Sequence, residues 1–480
     1  MDKKSLIKGI KTIGKVIGLY IVYLFISAII VPVFGSPPER VENRPLEFIE
    51  TSERVTLLEY GLESNGARIN SIEEAEETID VAYYYMDEGS SVDQFYAYIL
   101  DAANRGVKVR YLLDGVSHGL RGHYRNVFHL FNQHPNIEFK LYEPIGNFVL
   151  APWRINNRLH DKMLIIDNQY AFIGGRNIGN IYFQREHATE PYSFDRDLLI
   201  SNVEGQEDGI ISQMKTYHNE LWESEFAESQ GRIMFPWEKR TADTVQGELE
   251  ELHSYYQEEI SKRPHTSTME DWVNRSVEID SGLFTHNSLE RVFKQPYVWS
   301  DLLTLASEAE EELFIQTPWL VPDRQMRTDM GNADITINNG TLLTNGRSTT
   351  SNIIGQSGTE NRKKDFIESK LDYYEFQPKN SALHMKTMVA DRRISAVGAF
   401  NFDARSAYLS TESMVFIESE ALAEDILAEA EDSYLAKSVL FEEDGTQVPG
   451  ENTDGEEPSH WRNFVISFFR PLARMLESLI

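Results

Sequence analysis

The nine residues LHDKMLIID carry His160, Lys162 and Asp167, and they recur as LHMKTMVAD with His384, Lys386 and Asp391. The echo continues past each segment. Gly174 and Gly398 stand 14 residues after their histidines, and Asn177 and Asn401 stand 17 after. A lone three-residue pattern arises by chance in many chains, but two copies with the same downstream offsets do not. The chain is therefore expected to fold as two similar halves.

Period-two geometry sorts these residues. A histidine and a lysine two apart on a strand project to the same face, so His160 pairs with Lys162 and His384 with Lys386. Each aspartate has the opposite parity and opens a turn, at DNQ or DRR, which suits fixing the hairpin better than touching a substrate. Gly174 in GGRN and Gly398 in GAFN let backbones approach closely at a strand end. Asn177 and Asn401 can each donate a side-chain hydrogen bond to an anion.

Around the repeats, helices and strands alternate, which predicts an α/β fold. SIEEAEETIDVAYYYMDEG reads as a helix running into a strand, and SVDQFYAYILDAANRGVKVRYLLDG as helix, turn and strand. NIEFKLYEP supplies the strand before the one with His160. In the second half LTLASEAEEELFIQTPWLVPD, DITINNGTLLTNG and LDYYEFQP follow the same order. The expected organisation is an N-terminal anchor (1–40), a first half (41–230), a helical connection at the interface between halves (231–280), and a second half (281–440). An acidic linker (441–458) and a terminal amphipathic segment (459–480) complete it.

The ends depart from the average composition. Lys3, Lys4, Lys8, Lys11 and Lys15 precede an uncharged apolar run over residues 16–34, which Gly35, Pro37 and Pro38 terminate. Nineteen residues at about 1.5 Å each come close to the roughly 30 Å needed to cross a bilayer. A secretory signal is the competing reading, but no A-x-A-like site follows. The lysines favour a cytoplasmic N-terminus, a single pass through the cell membrane and an extracytoplasmic catalytic region. At the other end WRNFVISFFRPLARMLESLI sets Trp461, Phe464, Phe468 and Leu472 at helical spacing with Arg462, Arg470 and Arg474 alongside. An in-plane membrane helix is expected over one docked on the protein's own core, with Pro471 kinking or splitting it.

Composition excludes several chemistries. Without cysteine there is no disulfide, thiolate ligand or cysteine nucleophile, and no pair of histidines with backing carboxylates suggests zinc. No metal or other cofactor is expected. A formal charge of −30 repels nucleic acid, so none is expected as a partner. His118, His123, His129 and His134 read as surface or packing residues, although GVSHGLRGHYRN could instead face a substrate.

Two histidines, two lysines and two asparagines brought face to face would form a pocket of near two-fold symmetry for a phosphodiester. One imidazole attacks phosphorus while the other, protonated, serves the leaving oxygen. Lysines and asparagines offset charge on the non-bridging oxygens. Each histidine needs a carboxylate on its other ring nitrogen, and Glu412 in STES and Asp197 in FDRDLLI are the candidates.

At these residues the chain resembles the phospholipase D superfamily, whose signature is the duplicated HxKxxxxD followed by a G-x-x-N element. It is most similar to bacterial cardiolipin synthases of the C type, through RLHDKMLIIDNQYAFIGGRNIGNIYF, DRDLLI, TPWLVP and LHMKTMVADRRISAVGAFNFDARSAYLSTE. The likeness covers about residues 63–418, with Ser410 where relatives carry asparagine. It implies two α-β-α sandwich halves around one active site. His160 would be the nucleophile, His384 the general acid and Glu412 the orienting glutamate, beside Lys162, Lys386, Asn177 and Asn401. It further implies phosphatidyl transfer between phospholipids through a phosphohistidine. The donor would be phosphatidylglycerol or phosphatidylethanolamine, and any accessory protein is left open. Rival expectations are a phospholipase D that passes the group to water, a nuclease using the same motifs, and an inactive membrane scaffold.

Overall fold

Strand Lys162–Ile166 shows how the molecule is layered: Leu164 and Ile166 pack outward among helices, while Met163 and Ile165 pack toward the other half. The computed structural model describes residues 3–480 except 43, 184–190, 232–233, 263–266, 334, 338, 350–351, 370, 379–380 and 454–457. Within the described residues there is one nine-stranded and one ten-stranded sheet. Between edge strands Ala227–Ser229 and Val277–Glu278, the first sheet runs Ile137–Tyr142, Lys108–Asp114, Thr78–Tyr83, Lys162–Ile166, Tyr170–Gly174, Asp197–Ser201 and Arg54–Leu58. The second repeats that order with Asp372–Phe376, Gly340–Asn345, Leu313–Gln316, Thr387–Ala390, Ile394–Gly398, Ser413–Glu418 and Ser281–His286. Strands joined through helices run parallel, and the hairpin after each histidine is antiparallel, as those connection lengths require.

The sheets face each other across a shared core. Ile173, Leu198 and Ile200 meet Val389, Val397 and Ile417 there, with helices Ile210–Glu223 and Glu420–Glu429 contributing Met214, Leu221, Leu422 and Ile426. Helices Gly61–Glu74 and Ser90–Arg105 cover the outer face of the first sheet, and Tyr297–Glu308 that of the second.

Several expected boundaries change. Residues 44–50 join the second half rather than the first: Ile49 and Glu50 pair with Gly282 and Ser281, Leu46 and Phe48 pack on the second core, and Arg44 meets Asp301 at 3.0 Å. Helix Pro236–Ser261 does not lie between the halves. Its Ala242, Val245 and Leu249 bury against the outer core of the first half, since that stripe complements the helices there. The acidic linker contains strand Gln447–Pro449, which pairs with Ser438–Phe441 at the sheet edge, while its residues 454–457 lie outside those described.

Helix Lys3–Phe34 contains a stretch, Ile7–Phe34, long and apolar enough to cross a membrane. Tyr23 donates to the carbonyl of Leu150 at 3.2 Å, and Asn156 to that of Ala28 at 2.7 Å, so residues 149–156 lie against this helix. Helix His460–Met475 is continuous through Pro471. One face docks on helix Ile353–Ile367, burying Ile466 and Ala473, and Ser357 donates to the Ile466 carbonyl at 3.0 Å. The opposite face leaves Trp461, Phe464 and Phe468 exposed. The helix expected to lie in the membrane plane thus docks on the protein's own core through one face and leaves an aromatic face exposed.

Candidate active site

Both histidines sit where the chain leaves one half to touch the other. Before His160, Arg158 and Leu159 pair in parallel with Ser410 and Thr411; before His384, residues 381–383 pair in parallel with 192–194. The His160 N–H donates to Thr411 Oγ1 at 3.0 Å, and the His384 N–H to the Phe194 carbonyl at 2.7 Å. Each short crossing therefore carries the histidine of one half to a carboxylate of the other. His160 Nδ1 lies 2.8 Å from Glu412, and His384 Nδ1 lies 2.6 Å from Asp195. With Nδ1 engaged, Nε2 is the ring nitrogen left for a substrate. The side chains remain 14% and 17% exposed, which keeps that nitrogen within reach.

The second orienting carboxylate is Asp195, not Asp197. Asp197 is fully buried and accepts from Arg68 at 2.9 Å, Arg176 at 3.2 Å and Ser64 at 2.7 Å, so it belongs to a buried ionic cluster beneath the sheet. A signal for the right residue was present. Setting FDRDLLI against TESMVFI, the two segments after the repeats, places Asp195 opposite Glu412 and Asp197 opposite Met414. Asp197 and Met414 pair with Gly174 and Gly398, confirming that alignment. Charge alone favoured neither aspartate.

Gly174 and Gly398 show why that position has no side chain. A Cβ on Gly174 would lie 2.3 Å from the Arg196 carbonyl, and one on Gly398 2.3 Å from that of Ser413. Asp167 and Asp391 stand in the left-handed region, at φ 51° and 52°, as a two-residue hairpin turn requires. Asp167 accepts the N–H groups of Glu76 and Glu77 at 2.6 and 3.0 Å, while Asp391 accepts those of Glu310 and Glu311 at 2.9 and 2.7 Å. These carboxylates tie each hairpin to the loop before the central strand.

A cavity of about 490 Å³ joins His160, His384, Asn177 and Asn401. The amide oxygens of both asparagines are buried without a hydrogen-bond partner among the described residues. The lysines lie one layer deeper, buried, each ammonium donating to the carbonyl of its own histidine. Tyr84 packs edge-on against His160 at 5.0 Å between centroids, and Tyr182 against His384 at 5.5 Å. Val116 and Ser117 from GVSHGLRGHYRN line the same cavity, whereas His118 turns into the protein to accept the Leu120 N–H at 3.0 Å. His129 is also buried.

Asp161, which sequence reasoning passed over, reinforces the arrangement. Fully buried, it accepts from Tyr217 at 3.1 Å, Ser413 at 2.7 Å and Thr411, clasping both neighbours of Glu412. The second half has Met385 at this point, fully buried and apolar. The two-fold likeness therefore stops short of identity.

Electrostatics differ between the two histidines. Burial, reinforced by Lys162 and Lys386, holds His160 well below the ordinary imidazole range. Burial pushes Glu412 well above the carboxylate range, against the opposing pull of Lys162. Burial and Lys386 lower His384 to about 4, against an opposing pull from Asp195. Asp195 is pushed up by its own burial, but His384 and Lys386 outweigh that and leave it below its usual value, hence anionic. Burial lowers Lys386 to about 7 and Lys162 to about 8. A phosphodiester entering here would offset the cationic field and raise both imidazoles. Among the described residues no cluster of three or more histidine, aspartate or glutamate side chains could hold a metal ion.

Comparison with known proteins agrees with this geometry. The family described as cardiolipin synthase, PLD-like domain, matches residues 69–196 and 302–433, once in each half and over more than half of the chain. Cardiolipin synthase C of Escherichia coli (strain K12) is 26% identical over 406 residues, covering 76% of this chain and 82% of its own. An uncharacterized protein of Helicobacter pylori is 28% identical over 404 residues, with 77% of each chain covered. In three dimensions the fold is shared with phosphatidylserine synthase of Haemophilus influenzae Rd KW20. The TM-score is 0.60 and the identity 16%, with 90% of this chain and 97% of that one covered. The duplicated motif, the paired sheets and the family match lead to one assignment: the chain belongs to the cardiolipin synthase family of phospholipase D-like proteins and is a membrane-associated phospholipid phosphatidyltransferase.

Proposed function

We propose that the protein makes cardiolipin by passing a phosphatidyl group between phospholipids through a covalent histidine intermediate. The observation that carries this reading is the pair of imidazoles on one cavity, each with Nδ1 held by a carboxylate of the opposite half. His160 Nε2 attacks the phosphorus of phosphatidylglycerol or phosphatidylethanolamine. The bond to the headgroup oxygen breaks as His384 gives that oxygen its proton, and the alcohol leaves. His384 then takes the proton of a phosphatidylglycerol hydroxyl, whose oxygen attacks phosphorus. The P–N bond breaks, His160 is restored, and the product is cardiolipin. Dividing the displacement this way lets one pocket serve donor and acceptor in turn, and gives ping-pong kinetics.

Anionic Asp195 beside His384 supports the acid role, because it stabilises an imidazolium once a phosphate is present. The lowering of His160 by burial and by Lys162 supports the nucleophile role, because a neutral ring carries the free electron pair.

The test is purified full-length protein with phosphatidylglycerol vesicles. Cardiolipin and released glycerol are expected in equal amounts. Formation of phosphatidic acid alone would favour hydrolysis instead. In the same assay kcat/KM should fall as pH rises through about 7 to 8, where Lys386 and then Lys162 lose the charge that offsets the phosphate oxygens.

We further propose a single membrane pass with the N-terminus in the cytoplasm and the catalytic halves outside. Supporting this are Lys8, Lys11 and Lys15 at the start of the apolar helix and the contact of residues 149–156 with it. Leu150, 82% exposed beside that helix, would enter the apolar zone. The chain lacks cysteine, so Val203→Cys at an exposed site gives a single label. Membrane-impermeant maleimide should modify it in intact cells. Labelling only after lysis would reverse the topology.

A further inference from the structure

The cavity holds a cation that the chemistry at phosphorus does not use. Arg405 lies in helix Ala404–Tyr408 and lines the same space as His160 and His384. The carboxylate nearest to it in sequence is already committed. Asp403 caps this helix by accepting the Ser406 N–H at 2.7 Å, and it accepts the Trp319 indole N–H at 2.6 Å. Among the described residues the guanidinium forms no ion pair. Its Nε and Nη2 both donate to a single neutral group, the carbonyl of Leu479, at 3.0 and 2.6 Å. The other arginine on the cavity wall, Arg158, shows the contrast: it is buried against Asp114 at 3.2 Å and serves the fold.

A half-buried guanidinium on the cavity wall, met by one neutral carbonyl and no carboxylate, keeps its charge available to an anion. Its planar fork of N–H groups matches two oxygens of a phosphodiester. The reacting phosphorus of that reading would have the histidines and asparagines of the cavity wall to meet it, with the lysines behind them, so a second anion is the natural ligand. Resting on the reading of phosphatidyl transfer above, we propose that Arg405 binds the phosphodiester of the acceptor lipid. It would thereby select an alcohol that carries its own phosphate over water or a simple alcohol. Leu479 and Ile480 line the cavity beside it, and Glu477 anchors their turn through Arg327 at 3.3 Å and through Arg362. The Leu479 carbonyl occupies the fork until the acceptor phosphate replaces it.

The test uses the full chain in phosphatidylglycerol vesicles with ethanol added as an acceptor that has no phosphate. Wild-type protein should form cardiolipin and phosphatidylethanol. Arg405→Gln should lower the ratio of cardiolipin to phosphatidylethanol by about a hundredfold, as loss of a charged two-bond contact implies. Arg405→Lys keeps the charge but not the fork and should recover part of that ratio. An unchanged ratio in Arg405→Gln overturns the proposal, whatever happens to total turnover. A second measurement needs no variant: with wild-type protein, glycerophosphoglycerol should show a KM at least tenfold below that of glycerol as soluble acceptor. Equal KM values overturn the proposal even if Arg405→Gln does not fold. Wild-type protein that forms phosphatidic acid alone rejects the transfer reading and this proposal together. That result is distinct from transfer with an unchanged ratio, which rejects the role of Arg405 alone.

Discussion

His160→Ala should lower phosphatidyl transfer by about 10⁴-fold or more, the scale on which removing a covalent nucleophile acts, while His384→Ala should fail in a different way. A natural headgroup alkoxide needs a proton to depart, so both variants are silent with phosphatidylglycerol. With a phosphatidyl ester of p-nitrophenol the leaving group needs none. His384→Ala should then release one equivalent of nitrophenol in a burst and stall, holding the phosphatidyl group on His160. His160→Ala should release none. The burst amplitude in rapid mixing, with intact-mass measurement of the stalled protein, decides it. A burst in His160→Ala and none in His384→Ala would exchange the two roles. The near symmetry of the cavity makes this a real alternative, since both imidazoles have a carboxylate on Nδ1.

Asp195→Asn and Asp197→Ala should part company although only Arg196 separates them. Asp195→Asn keeps the shape of the group on His384 Nδ1 but removes its charge and reverses the hydrogen bond. A fall in kcat of about 10³- to 10⁴-fold is expected, the size seen when a histidine loses its orienting carboxylate, with the melting temperature little changed. Asp197→Ala leaves Arg68 and Arg176 buried without their shared anion. Removing one member of a buried ionic cluster costs about 3–5 kcal/mol. The expected result is a lowered melting temperature with normal turnover in the fraction that stays folded. Thermal melts read beside active-site titration separate the cases. A stable but inactive Asp197→Ala with an active Asp195→Asn would restore Asp197 as the orienting group.

What was legible in the sequence followed from local rules. The doubled motif, the glycine and asparagine offsets, and the alternation of helix and strand all lie within short windows, where side-chain parity and turn chemistry act. What was not legible depends on partners far along the chain. Ile49 and Glu50 pair with a strand that begins at Ser281, and nothing in RVENRPLEFIE names that partner. Helix Pro236–Ser261 has an apolar stripe, but whether it meets one half or both is set by the surface it finds. Asp195 and Asp197 are alike in chemistry and differ only in which lies at the crossing to the second half. Arg405 carries no signal in isolation. Its interest comes from Asp403 being engaged elsewhere.

The exchange of carboxylates between halves bears on how such a chain can diverge. Were the halves separate molecules, they would have to meet as identical twins, and any change at one histidine would be copied at the other. Covalent linkage removes that bond of sameness. One histidine can then keep glutamate with Asp161 clasping its strand, while the other keeps aspartate above Met385. A difference between the two histidine sites thereby becomes heritable within a single polypeptide.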